Sequence, residues 1–284
     1  MKKLVLIFSI FSMLFLFSCQ KGDVTDDDIN TAESAATADN AEADGFFFAQ
    51  SSTDKNKAYV LDDSSDIASC YSVSTIINTD GSFTTTLTFN GEACPTDEVV
   101  REGTIKITWY LGWQTKFIDK PLTIEYINFK RNNKTVNGTV TVTFNSADTV
   151  YVELLDSTMV VPSFTFKSNM SITFEDGTEF TWEGTRTVKY LRGFYTPFIW
   201  RDNILQVDAN RTGVNRKGEH YTAVSSGIIW KADCAYKLPI SGTRTITVEN
   251  KEPIVIDYGD GTCDQYYTIT KGDKTITVDI TKDN

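Results

Sequence analysis

The sequence predicts an all-β fold, an antiparallel elongated curved sheet or β-sandwich of about 12–16 strands, preceded by a short helical or disordered N-terminal tether. Three observations carry this. Apolar and hydroxyl residues alternate with period two: Ile105, Ile107 and Trp109 against Thr104, Lys106 and Thr108; Val140, Val142 and Phe144 against Thr139, Thr141 and Thr143; Ile276, Val278 and Ile280 against Thr275, Thr277 and Asp279. Tight-turn pairs, Asp80-Gly81 and Asp176-Gly177, separate such runs. Past residue 50 no long stretch repeats with helical period. One dry and one wet face per strand argues for antiparallel pairing, because parallel sheets are usually covered on both sides. On this alternation Trp109 shares the core-facing side with Ile105.

The chain opens with an address. Lys2 and Lys3 precede an apolar run from Leu4 to Phe17, too short to span a bilayer comfortably but suited to a signal peptide. The run ends Leu16-Phe17-Ser18-Cys19, which resembles a bacterial lipobox. That resemblance implies a signal peptide over residues 1–18, cleavage before Cys19, and diacylglycerol and palmitate on a lipidated Cys19. Each buried methylene contributes roughly 0.8 kcal/mol, so several acyl chains hold firmly. The expected location is the bacterial outer membrane, lipid-anchored, with the cell surface as the outward variant.

Residues 19–50 read as an acidic tether, in part helical. From Gln20 to Asp44 there are eight acids and one base, Lys21, a composition that does not fold alone. The acidic run resembles surface-export signals of Bacteroidota lipoproteins; a solvated spacer is the other reading. Alanines from Ala32 to Ala43 favour a short helix reaching Phe46-Phe47-Phe48, which could dock there.

Residues 51–284 form the β body. Its four cysteines, Cys70, Cys94, Cys234 and Cys263, suggest disulfides in an exported chain. Of the three connectivities, local sequence favours Cys70–Cys94 and Cys234–Cys263, since each pair brackets a strand, a turn and a strand, and a hairpin brings its ends together. Closing each loop is worth roughly 3 kcal/mol in the chain-entropy account. The two bracketed units, about 68–112 and 232–284, read as one hairpin plan used at both ends of the body. A Gly-Thr-x-[Thr/Lys]-[Ile/Val] pattern recurs at Gly103, Gly138, Gly184 and Gly242 with unequal spacing, which excludes a regular solenoid.

Several segments carry a family resemblance. Thr212-Gly213-Val214-Asn215-Arg216-Lys217-Gly218 leads into Tyr221-Thr222-Ala223, followed by Cys234, Pro239-Ile240-Ser241-Gly242 and Ile256-Asp257-Tyr258-Gly259-Asp260-Gly261-Thr262-Cys263-Asp264. Thr135-Val136-Asn137-Gly138-Thr139 fits the same pattern. Over most of residues 65–284 the chain resembles uncharacterised β-rich lipoproteins of Bacteroidota with paired-cysteine hairpins. The resemblance implies architecture and address and supplies no activity. The aromatic stretch at residues 190–200 departs from it.

The function classes narrow by exclusion. A net charge of −11 argues against nucleic acid, whose phosphates need a basic surface. One histidine, His220, rules out His-rich metal sites. Asp62, Ser64 and Asp66 have calcium-loop spacing, but Ile67 and Val73 stand where that loop needs glycine and an acid. No Gly-x-Ser-x-Gly elbow, P-loop or HExxH occurs. Glu125, Glu153 and Glu183 are read into strands without a catalytic context. The expectation is a noncatalytic, cofactor-free and metal-free lipoprotein with a structural or interaction role at the envelope. Its partners are the membrane, through the lipid on Cys19, and an unidentified protein or glycan. The main rival is a glycan-binding or adhesion module using Phe194, Tyr195, Phe198 and Trp200, since aromatic faces stack on sugar rings. An envelope hydrolase is the third reading.

Overall fold

In the computed structural model thirteen strands form a single antiparallel sheet in sequence order. The described residues are 23–53, 70–94, 99–112, 120–155, 157–194, 196, 200–234 and 238–279; the signal peptide, Cys19, the calcium-like spacing at Asp62, and Tyr195 and Phe198 lie outside them. Among the described residues one helix, α1 (Asp26–Thr53), precedes the strands. They are β1 (Tyr71–Ile77), β2 (Phe83–Ala93), β3 (Val100–Trp109), β4 (Leu122–Arg131), β5 (Lys134–Val152), β6 (Ser157–Thr173), β7 (Glu179–Arg192), β8 (Ile204–Val214), β9 (His220–Lys231), β10 (Ser241–Val248), β11 (Ile254–Asp260), β12 (Tyr266–Lys271) and β13 (Lys274–Asp279). The all-β expectation therefore holds as one open sheet. Glu153, expected in a strand, instead opens a 3-10 turn over Glu153–Leu155.

Alternation decides which face is dry. Ile105, Ile107 and Trp109 of β3, Leu122, Ile124 and Tyr126 of β4, and Phe164 and Phe166 of β6 are all buried on the side where α1 lies. This face is concave: Asp28 pairs with Lys271 of β12 and Asp44 with Arg101 of β3, although the two acids lie only about 24 Å apart along the helix. In a flat sheet those strands would stand about 43 Å apart.

The recurring glycines help to bend it. Gly103 has φ +89, and a Cβ there would lie 2.2 Å from the Asn128 carbonyl oxygen. Register shifts between Glu102 and Thr104 in β3, and between Tyr126 and Phe129 in β4, mark bulges at the same place. Gly184 has φ +146 and would meet the Asn210 carbonyl at 2.2 Å. Neither position accepts a side chain, and such kinks let a sheet coil.

Both disulfides form as the hairpin geometry requires. Cys70–Cys94 brackets β1 and β2, and Cys234–Cys263 brackets β10 and β11.

The acidic segment is not a free tether. Residues 26–53 are one 28-residue helix, so the expected boundary at residue 50 falls inside it. Its start is a capping box: the Thr25 hydroxyl accepts from the Asp28 amide at 3.3 Å while the Asp28 carboxylate accepts from the Thr25 amide at 2.9 Å. Only a narrow stripe, including Asp26, Asn30, Glu33, Ala36, Ala43 and Phe47, faces solvent. Ala32, Ala35, Ala38, Ala41 and Ala49 are buried, and their small side chains let the helix lie close to the sheet. Buried Thr31 and Ser34 are satisfied by donating to carbonyls four residues back. Composition alone argued against folding because the energy comes from partners elsewhere in the chain.

Candidate functional site

The helix crosses the strands, and its acids meet a row of cations on the concave face. Asp28 accepts from Lys271 of β12 at 2.8 Å. Asp39 accepts from Arg211 of β8 at 2.5 Å and from Arg244 of β10. Glu42 accepts from Arg211 at 2.8 Å and from the Trp182 indole at 2.7 Å, with Arg186 of β7 3.5 Å away. Asp44 takes Arg101 of β3 at 3.1 Å and Arg131 of β4 at 3.0 Å. The C-terminal end then packs Phe48 edge-on against Tyr71 of β1 and Phe89 of β2, and Phe46 against Phe164 and Phe166. Arg186 also stands 4.6 Å over the Phe166 ring.

These ion pairs are buried, and burial disfavours isolated charge. Burial pushes the Asp39 carboxyl up, but Arg244, Arg211 and Arg186 together outweigh it and hold its pKa well below the usual carboxylate range. Asp28 is likewise held low, burial being overcome by Lys271 and by its bonds to Thr25. Desolvation works against the charged Arg211 and Arg244, yet Glu42 and Asp39 raise the first and Asp39 the second. Asp28, Asp39, Arg211 and Arg244 therefore stay charged at neutral pH. Tyr126 donates to the Ala41 carbonyl at 2.9 Å, and burial raises its pKa well above the ordinary value. Tyr190 donates to Gln50 at 3.0 Å and is pushed up to about 12 by burial.

Beside the helix runs a cleft of about 570 Å³. Phe174, Trp230, Ile256, Tyr258, Tyr267 and Val278 supply its apolar lining, with Lys134 and Asn40 among its polar groups. Glu33, Asp39 and Arg216 line it too, so the cleft has the volume of a small-molecule site but is more polar and charged than such sites usually are. On the other face, Glu183, His220 and Glu249 line an open groove of about 650 Å³ around Gly213. Among the described residues no group of three or more His, Cys, Asp or Glu side chains is placed to hold a metal ion. Among them, too, no helix is long and apolar enough to cross a membrane.

The aromatic set at 190–200 divides. Tyr190 is buried, and Phe194 packs partly buried against Tyr190 and Phe164 with centroids 5.2 and 5.6 Å away, so both turn towards the core. Trp200 begins a 3-10 turn, Trp200–Asp202. The cations Arg101, Arg131, Arg186, Arg211, Arg244 and Lys271 and the cleft-lining Trp230, Tyr258 and Tyr267 are the residues that reading by motif passes over. A signal for the cations was present: each falls on the inward parity of its strand, as Arg186 does between Trp182 and Val188, where alternation calls for an apolar residue.

Comparison with protein-family models, with curated proteins and with solved structures finds no match.

Proposed function

We propose that this chain is a noncatalytic lipoprotein, anchored by diacylglycerol on Cys19 in the bacterial outer membrane, whose β body has a structural or interaction role at the envelope. The observation that carries the reading is the short path from anchor to body. Helix α1 starts seven residues after Cys19 and is locked by ion pairs to β12, β10, β8, β7, β4 and β3. Six or seven residues of extended chain reach at most about 25 Å. A lipid on Cys19 would therefore hold the sheet close to the membrane surface through a rigid rod. Asp23 and Asp26 stay exposed beside the anchor and suit an export signal, whereas Asp28, Asp39, Glu42 and Asp44 serve the fold. The noncatalytic part is supported by the use of the strongly displaced buried groups: they pair helix to sheet.

Metabolic labelling with a palmitate analogue tests this. The full chain is expected to take label and to fractionate with membranes, while Cys19→Ser loses the label and stays unprocessed. Label that survives Cys19→Ser, or an unlabelled soluble wild type, overturns the proposal.

A second reading, glycan binding, is favoured by one observation: Trp230 and Tyr267, both half-buried, line the cleft beside Asn40. Aromatic faces of this kind stack on sugars. Glycan-array binding that Trp230→Ala abolishes supports it; binding that survives that change removes the cleft from consideration.

A further inference from the structure

The two edges of the sheet are built differently. Strand β13 carries Lys274 and Asp279. Charges of this kind protect an edge against strand addition. Strand β1, Tyr-Ser-Val-Ser-Thr-Ile-Ile over Tyr71–Ile77, carries no charge, proline or glycine. Val73, Ile76 and Ile77 are 45%, 61% and 73% exposed on it. It pairs with β2 without a register shift, so no bulge turns the edge away.

Backbone parity states what the edge can hold. The Asn90 amide donates to the Cys70 carbonyl at 3.2 Å and the Asn78 amide to the Ser82 carbonyl at 2.8 Å. Even-numbered residues of β1 therefore face β2. Tyr71, Val73, Thr75 and Ile77 direct their N–H and C=O groups outward, where no strand lies among the described residues. A row of alternating donors and acceptors matches one chemical class, an extended polypeptide.

We propose that β1 is a homodimer edge, pairing antiparallel with β1 of a second copy about a two-fold axis through Ser74. This register sets Tyr71 against Ile77 and Val73 against Thr75, and every outward backbone group finds a partner. The exposed Ile77 would then lie at the rim of the core beside Tyr71, whose ring already packs on Phe48 and Phe89, a favourable cross-strand pair. No like charges meet at the seam, although each chain carries −11 overall. The charged β13 edge disfavours head-to-tail addition, so the contact closes as a dimer instead of growing into a filament.

Sedimentation of the detergent-solubilised full chain over a range of concentrations tests this, alongside Thr75→Pro. Proline at position 75 removes an outward N–H and leaves the backbone bonds to β2 intact, at the cost of the 3.1 Å hydroxyl contact between Thr75 and Thr85. The expected result is a concentration-dependent dimer that Thr75→Pro weakens roughly tenfold or more, equivalent to at least about 1.4 kcal/mol. Thr275→Pro on β13 should leave it unchanged. Val73→Lys should act like Thr75→Pro and decides the matter if the proline variant does not fold. Ser74→Cys should cross-link the dimer by a disulfide, because facing residues of a non-hydrogen-bonded pair lie about 4.5 Å apart at Cα. A chain that stays monomeric, an association that survives both β1 variants, or one abolished by Thr275→Pro overturns the proposal.

Discussion

The indole nitrogen of Trp182 donates a 2.7 Å hydrogen bond to the carboxylate of Glu42 across 140 residues of chain, and both side chains are buried. Glu42 also accepts from Arg211, so one carboxylate ties the helix to β7 and to β8. Replacing it by leucine would leave a buried cation and an indole N–H short of acceptors.

The strongest test of this lock is Asp39→Asn. The change removes the charge that holds Arg211 and Arg244 inside and keeps the volume. Breaking one side of a buried pair costs about 3–5 kcal/mol. Denaturant unfolding followed by tryptophan fluorescence is expected to show a loss in that range. A loss below about 1 kcal/mol would mean that water, not Asp39, satisfies the arginines.

Gly45 tests the close approach of helix and sheet. A Cβ there would fall 1.9 Å from the Tyr126 hydroxyl oxygen. Alanine is the better helix former by about 1 kcal/mol, so a free helix would gain from Gly45→Ala. The folded protein should lose stability instead, and Tyr126→Phe in the same chain should recover part of it by removing that oxygen. A rise in melting temperature for Gly45→Ala alone would refute the contact.

Gly184→Ala tests the bend. The residue needs φ +146 and has a carbonyl oxygen where its Cβ would lie, so a cost of about 1–3 kcal/mol is expected. Gly177→Ala is the comparison, since no atom lies within 4 Å of its would-be Cβ and only the backbone penalty at φ +79 remains. Equal losses at both sites would remove steric contact as the reason for Gly184.

Stability should fall at both extremes of pH. The folded pKa of Asp39 and of Asp28 lies below the unfolded value of 3.8. Their contribution is therefore complete above that value and is lost as pH falls through the folded pKa, placing release of the helix below about pH 4. Tyr190 is the opposite case: its folded pKa of about 12 exceeds the ordinary 10.0, so its contribution is intact below pH 10 and is lost as pH rises towards 12. Far-UV circular dichroism across acid pH and tyrosinate absorbance across alkaline pH read the two limbs. Helix loss between pH 5 and 7 would contradict the acid limb.

Reduction probes the two staples. Replacing Cys70 and Cys94 by serine should cost about 2–5 kcal/mol, the usual range for a native disulfide, as measured by thermal unfolding.

Much of this architecture was legible in the chain. Period-two runs named β3 and β5, Asp80-Gly81 placed the β1–β2 turn, and hairpin closure paired the cysteines, because all three depend on neighbours close in sequence. The Gly-Thr pattern was visible, but its meaning as a bending device was not, since the carbonyls that exclude a Cβ belong to adjacent strands. The aromatics at 190–200 looked alike in sequence, yet Tyr190 and Phe194 turn inward.

What the sequence by itself determined is the antiparallel all-β class, the dry faces of runs such as β3 and β5, and the two cysteine hairpins, all set by alternation and short turns; that the strands form one open sheet paired in chain order is a tertiary result. Only the tertiary structure decided that residues 26–53 are a buried helix and not a solvated leash. An acidic segment of this composition does not hold itself folded; its place is fixed by burial of its alanines, Phe46 and Phe48 and by pairing with Arg101, Arg131, Arg186, Arg211, Arg244 and Lys271, partners that converge only once the sheet has curved around it.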